Sequence, residues 1–168
     1  LPTDIWVPST YRVKPQISWQ YAAGFFKNWK DNMFETSVEV YYKKMQNQID
    51  YADNANLFLN ATFEKDLLFG NGRAYGAEFF LKKNKGKLTG WLSYTLGRTE
   101  RQVEGLNQGD WYVSRFDRTH TLNVVAQYEL NKKWSFGANF SYVTGVPYTL
   151  PEQKIVYAGG YLPIIPQG

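Results

Sequence analysis

The chain has 168 residues, a formal charge of +4 and no cysteine. That suits one ordinary domain and removes disulfide frameworks, thiolate metal sites and cysteine nucleophiles together. Lys and Arg are interleaved with Asp and Glu along most of the length, so no basic stripe points to nucleic acid.

Mean hydropathy is −0.48, and no run approaches the ~20 apolar residues of a membrane-spanning helix. A membrane strand stays open, because in a barrel only alternate side chains meet lipid. The first residue is Leu1, with neither an initiator Met nor a charged, apolar leader. Either a signal peptide has been removed or the chain is an internal piece of something longer, the latter being the expectation.

In chain order, segment after segment shows the period of two that marks a strand with unlike faces. The first sets Ile17, Trp19, Tyr21, Ala23 and Phe25 against Ser18, Gln20, Ala22 and Gly24. The second sets Phe34, Thr36, Val38, Val40 and Tyr42 against Glu35, Ser37, Glu39, Tyr41 and Lys43. A third, after Gly72, opposes Tyr75, Ala77, Phe79 and Leu81 to Gly76, Glu78, Phe80 and Lys82, and a fourth opposes Leu88, Gly90, Leu92, Tyr94 and Leu96 to Thr89, Trp91, Ser93 and Thr95. The fifth places Leu122, Val124, Ala126, Tyr128 and Leu130 against Thr121, Asn123, Val125, Gln127 and Glu129; the sixth places Trp134, Phe136, Ala138, Phe140 and Tyr142 against Ser135, Gly137, Asn139 and Ser141.

The connections alternate as well. Short polar turns at Lys30 to Asn32, Asn84 to Gly86 and Asn131 to Lys133 are separated by long links at Tyr51 to Gly72 and Val103 to Arg115. Short turns on one side and long loops on the other are the habit of a transmembrane barrel. Several segments hold the pattern for about 10 residues, enough for a tilted strand to cross a bilayer. Aromatic residues sit at their ends: Trp29, Phe34 and Trp134 for a periplasmic girdle, Tyr42, Tyr75 and Tyr142 for an outer one.

The expected fold is therefore all-β: an antiparallel up-and-down meander of about six strands, part of a large transmembrane β-barrel. Its first and last strands should be edges that do not pair with each other. Soluble sandwiches and lipocalin-like barrels share the alternation but turn their apolar face inward. Here the opposite face is small and polar, with Phe26, Phe80, Trp91 and Val125 as its large apolar members.

Four stretches carry a family resemblance: Asn107-Gln-Gly-Asp-Trp-Tyr112, Arg115-Phe-Asp-Arg-Thr-His120, Tyr128-Glu-Leu-Asn-Lys-Lys-Trp134 and Tyr142-Val-Thr-Gly-Val-Pro-Tyr-Thr-Leu-Pro151. With Tyr41 to Tyr51 and Tyr75-Gly-Ala-Glu78 they resemble the C-terminal barrel region of TonB-dependent receptors, particularly those of Bacteroidetes. The resemblance covers nearly the whole chain. It implies residues 1–168 as part of a barrel wall of about 22 strands filled by a plug, with the plug, the TonB-contacting segment and the final strands outside this sequence. It further implies the outer membrane of a Gram-negative cell, contact with outer-membrane lipid and lipopolysaccharide, coupling through TonB, and uptake of a scarce nutrient or metal chelate such as a siderophore. Two rival readings are a non-transporting outer-membrane barrel that scaffolds surface loops and a soluble β-sheet binding module.

No enzyme is expected. His120 is the one histidine, so no His-based zinc cluster or nucleophilic triad can be built, and no metal or other cofactor is called for. Glu35, Glu39, Glu78 and Glu129 would line the lumen with Lys43 and Lys82; contact with a plug is their simplest role. The candidate ligand-binding residues are Trp111, Tyr112, Arg115, Arg118 and His120, at the outer rim. Arg115 and Arg118 suit an anionic ligand through the guanidinium fork, while a polar belt in which Arg118 pairs with Asp117 is the plainer expectation. The link from Tyr51 to Gly72 is too apolar for a flexible linker and is expected to pack over the barrel mouth.

Overall fold

The structure, a computed structural model, describes residues 9–52, 63–148, 153–157 and 160–164. Long strands alternate with turns: β1 (Ile17–Trp29), β2 (Phe34–Tyr51), β3 (Leu67–Lys83), β4 (Leu88–Val103), the two-residue β5 (Tyr112–Val113), β6 (His120–Asn131) and β7 (Trp134–Val143). They form one antiparallel seven-stranded sheet in the order β1-β2-β3-β4-β6-β7, with β5 paired to the far end of β4. Neighbours in sequence are neighbours in space, as the alternating turns and links imply. Among the described residues β1 does not pair with β7, so both are open edges. A separate hairpin of β8 (Gln153–Tyr157) and β9 (Gly160–Ile164) completes the strands; neither it nor β5 is visible in the alternation.

Local chemistry sets the tight turns. Lys30, Asp31 and Asn32 all take positive φ between β1 and β2, a conformation Asn and Asp tolerate better than other non-glycine residues. Between β6 and β7 the Asn131 carboxamide oxygen accepts the backbone N–H groups of Lys133 and Trp134, at 2.9 and 3.1 Å.

Register keeps like with like. Across the apolar face, Phe25, Val38, Phe79, Tyr94, Leu122 and Tyr142 are successive cross-strand partners. So are Thr36, Leu81, Leu92, Val124 and Phe140. On the polar face Gly24, Glu39, Glu78, Thr95, Thr121 and Val143 follow one another. There Tyr41 lies against Gly76: a Cβ on that glycine would stand 2.5 Å from the Leu96 carbonyl oxygen and 2.8 Å from the tyrosine hydroxyl.

No described element covers the apolar face. Trp134 is 63% exposed, Phe25 62% and Phe140 58%, which a sheet in water would not tolerate over so wide an area. Apart from Val13 in the lead-in to β1, the buried side chains, those of Gln48, Leu67, Val103, Ser114 and Asp117, instead gather at the end carrying the long links. There β2 and β3 stay paired from Gln48↔Gly70 to Tyr51↔Leu67. The expected loop from Tyr51 to Gly72 is thus shorter than its sequence implies: β3 begins at Leu67, after a 3-10 turn at Phe63–Asp66. Residues 53–62 lie outside the described residues.

One irregularity reorders the faces. Between Met45 and Gln48 the register of β2 shifts against β3, and Asn47 takes φ 55°. A bulge adds one residue to one strand and inverts every side chain beyond it. Even-numbered positions such as Tyr42 and Lys44 share the apolar face before it; after it Asp50 lies on the polar face.

Candidate functional site

The inverted parity of β2 gathers a charged cluster at the outer end of the polar face. An Nη of Arg101 donates to the Asp50 carboxylate at 3.0 Å and to the Ile49 carbonyl at 3.1 Å. The Tyr112 hydroxyl donates to the same Asp50 oxygen at 2.9 Å. Burial first, then the Asp50 charge and hydrogen bond, push the Tyr112 phenol well above its ordinary value. The cluster ties β5 to β2 and β4 and fixes the link between Val103 and His120.

Asp117 fixes that link from below. It is 3% exposed; one carboxylate oxygen accepts the Thr99 backbone N–H at 2.6 Å and the other the Thr119 hydroxyl at 3.0 Å. Its nearest cation is Arg98, at 4.0 Å. The expected pairing of Asp117 with Arg118 therefore does not form: Asp117 turns into the sheet to replace a ladder acceptor, and Arg118 stands exposed with no ion-pair partner among the described residues.

The candidate ligand residues separate. Arg115 is exposed, its guanidinium 4.8 Å from the Phe116 ring centroid. Arg115 and Arg118 flank buried Asp117 on one short loop and present their charges outward from it. Tyr112 belongs to the Asp50 cluster. Trp111, one residue earlier in an extended chain, takes the opposite face, where the Arg73 guanidinium lies 4.2 Å over its ring. His120 is on the apolar face beside Leu96. Its Nδ1 is 2.8 Å from the Tyr94 hydroxyl and its ring stacks on Tyr94 at 6.1 Å.

On the polar face below, Glu39 and Glu78 are direct cross-strand partners. No cation pairs with either among the described residues, whereas Glu35 has Lys82 at 3.8 Å. Like charges opposed across strands are unfavourable by themselves. Phe80 and Trp91 stack at 6.3 Å on the same face.

Asp50 and Arg101 escape a reading of the sequence, and so does the role of Asp117 as the acceptor for the Thr99 N–H. The run from Lys43 to Asp50, apolar only at Met45 and Ile49, has too little alternation from which to place the bulge; the one hint is Asn47, a residue type that accepts left-handed backbone.

A sheet whose uncovered apolar face is bounded by aromatic residues, and whose other face is polar and charged, is the wall of a transmembrane β-barrel. The family model described as TonB dependent receptor-like, beta-barrel, matches residues 5–162, and the chain belongs to that family. Its members are outer-membrane transport receptors. No curated protein and no solved structure gives a significant match to the chain.

Proposed function

We propose that the chain is part of the barrel wall of a TonB-dependent transporter that imports a scarce nutrient or metal chelate such as a siderophore, with its polar face toward a plug. The open edges carry this reading. Backbone N–H and C=O groups along β1 and β7 have no partner strand on their outer sides among the described residues, and unpaired groups of that kind are untenable in hydrocarbon. Further strands must flank both edges, so the sheet is an arc of a wide barrel.

The carboxylates Glu39 and Glu78, with no ion-pair partner among the described residues, fit the same picture, since a cation from a plug inside the lumen would relieve their opposition. Arg115 and Arg118, at the outer rim, are proposed to receive an anionic cargo, for which a guanidinium fork is well shaped. The test is uptake by cells carrying the intact parent receptor, supplied with a panel of ferric siderophores under iron limitation. Uptake that disappears when TonB coupling is removed supports transport. Surface display with no TonB-dependent uptake of any small solute would favour a barrel that only scaffolds loops.

A further inference from the structure

Just beyond the outer tyrosines the apolar face changes character. Tyr42 and Tyr75 are cross-strand partners, and one pair farther out Lys44 opposes Arg73. Arg98 is the partner of Tyr75, and Glu100 the partner of Arg73. The strands of a barrel are tilted and staggered, so a given membrane level descends along the register from one strand to the next. Lys44, Arg73 and Arg98 thus follow the tyrosine girdle on its outer side, at the depth of headgroups.

Three features make this more than a charged rim. First, Lys44 and Arg73 are like charges directly opposed, an arrangement that is unfavourable without a counter-anion. Glu100 supplies only part of one: it accepts from the Arg73 Nε at 2.7 Å and from Arg98 at 3.4 Å. Exposed Lys44 has no ion-pair partner among the described residues. Second, Arg73 is held in place. Glu100 takes its Nε at 2.7 Å and the Trp111 ring lies 4.2 Å from its guanidinium carbon, leaving the Nη groups with no hydrogen bond among the described residues, and an anchored guanidinium matches a phosphate better than a mobile lysine does. Third, there is room: an open groove of about 450 Å³ lies among Tyr42, Lys44, Gln46, Asn71, Arg73 and Trp111.

We infer that Lys44, Arg73 and Trp111 form a site for the phosphorylated headgroup of an outer-leaflet lipopolysaccharide, its acyl chains running down the apolar face beside Tyr42 and Val40. The inference rests on the outer-membrane reading and adds to it a defined lipid contact. Phosphate oxygens would bridge Lys44 and the free Nη groups of Arg73, relieving their repulsion.

The test uses the intact parent receptor, purified in detergent and incubated with lipopolysaccharide either carrying its headgroup phosphates or enzymatically stripped of them. Wild-type protein should retain the phosphorylated form through washing and the stripped form about tenfold less. The Lys44→Gln, Arg73→Gln double variant should lose that preference. Lys43→Gln with Lys82→Gln, which removes the same charge from the opposite face, should keep it. Equal retention of both lipid forms by the wild type overturns the site, whatever the variants do. So does a polar-face variant that loses as much as the Lys44, Arg73 variant, because the effect would then be one of net charge. Partition of the wild-type protein in a detergent phase separation is a separate readout. Recovery in the aqueous phase would overturn the membrane reading itself, whereas detergent partition without phosphate preference overturns only the lipid site.

Discussion

Asp117 accepts the backbone N–H of Thr99 at 2.6 Å, standing where a neighbouring strand would offer a carbonyl. On either side the ladder is ordinary: the Ser114 N–H donates to the Thr99 carbonyl, and the Gly97 N–H to the Thr119 carbonyl. The chain between Ser114 and Thr119 leaves the sheet as a loop without stranding the donor beneath it, and this loop carries Arg115 and Arg118.

Replacing Asp117 with Ala should therefore leave the Thr99 N–H unpaired and cost ~1–3 kcal/mol, the range for a buried donor left unsatisfied. Asp117→Asn, which keeps a carbonyl oxygen in place, should cost less. Hydrogen exchange in the intact barrel provides the check: Thr99 should lose protection selectively in the Ala variant. Unchanged protection there would mean that the carboxylate is incidental to the loop.

The Asp50 cluster makes a prediction about pH. Burial and the nearby Asp50 carboxylate raise the Tyr112 phenol above its ordinary 10.0, so between that value and the folded-state value the unfolded chain releases a proton that the folded chain keeps. The stability contributed by this group is complete below pH 10 and declines as pH rises toward the folded-state pKa. Asp50→Asn should lower the Tyr112 pKa and weaken the decline. Ultraviolet titration of wild type, Asp50→Asn and Tyr112→Phe resolves the phenol, and a Tyr112 signal unmoved by Asp50→Asn would contradict the cluster.

The six long strands and their pairing order are legible in the sequence because the period of two is strict where one face must meet lipid. Leu122, Val124 and Ala126 cannot be exchanged with Thr121, Asn123 and Val125 without turning polar groups toward hydrocarbon. That constraint ends at the girdle. Above it the residues from Lys43 to Asp50 are polar apart from Met45 and Ile49, too sparse a pattern to reveal the bulge at Asn47 or the face on which Asp50 emerges. The candidate ligand residues lie along one stretch of chain, and an extended backbone necessarily sends neighbours such as Trp111 and Tyr112 to opposite faces. His120 belongs with Tyr94 for the same reason: it shares the parity of Leu122. Asp117 has the look of a surface ion-pair residue beside Arg118, and only the gap opposite Thr99 explains its burial.

The rim arginines can be tested as a pair. If Arg115 and Arg118 receive an anionic cargo, converting both to Gln in the parent receptor should weaken uptake several-fold, with folding and surface display intact, because neither side chain is buried and exposed charges contribute ~0–1 kcal/mol to stability. Cargo binding by the wild type should also weaken as salt rises, since exposed charges are screened within about 10 Å at 0.1 M salt. Uptake unchanged in the double variant would leave the two arginines as part of a polar belt.

The assignment of faces is the most exposed to test. Val124 is flanked in register by Leu92 and Phe140 on the apolar side, while Asn123, one residue earlier, is flanked by Ser93 and Ser141 and accepts the Ser141 hydroxyl at 2.8 Å. The two positions share strand, depth and neighbours along the chain, and differ only in the medium they meet. Arginine at Val124 should therefore cost ~2–4 kcal/mol in the intact barrel, the penalty for a cation facing lipid near midplane, whereas arginine at Asn123 meets the wet lumen and should cost much less. Val38→Arg and Phe140→Arg should behave like the first, and Asn139→Arg like the second. Reversible unfolding in lipid vesicles measures the difference directly. Equal costs at Val124 and Asn123 would mean that both faces see the same medium, which no arc of a transmembrane barrel allows.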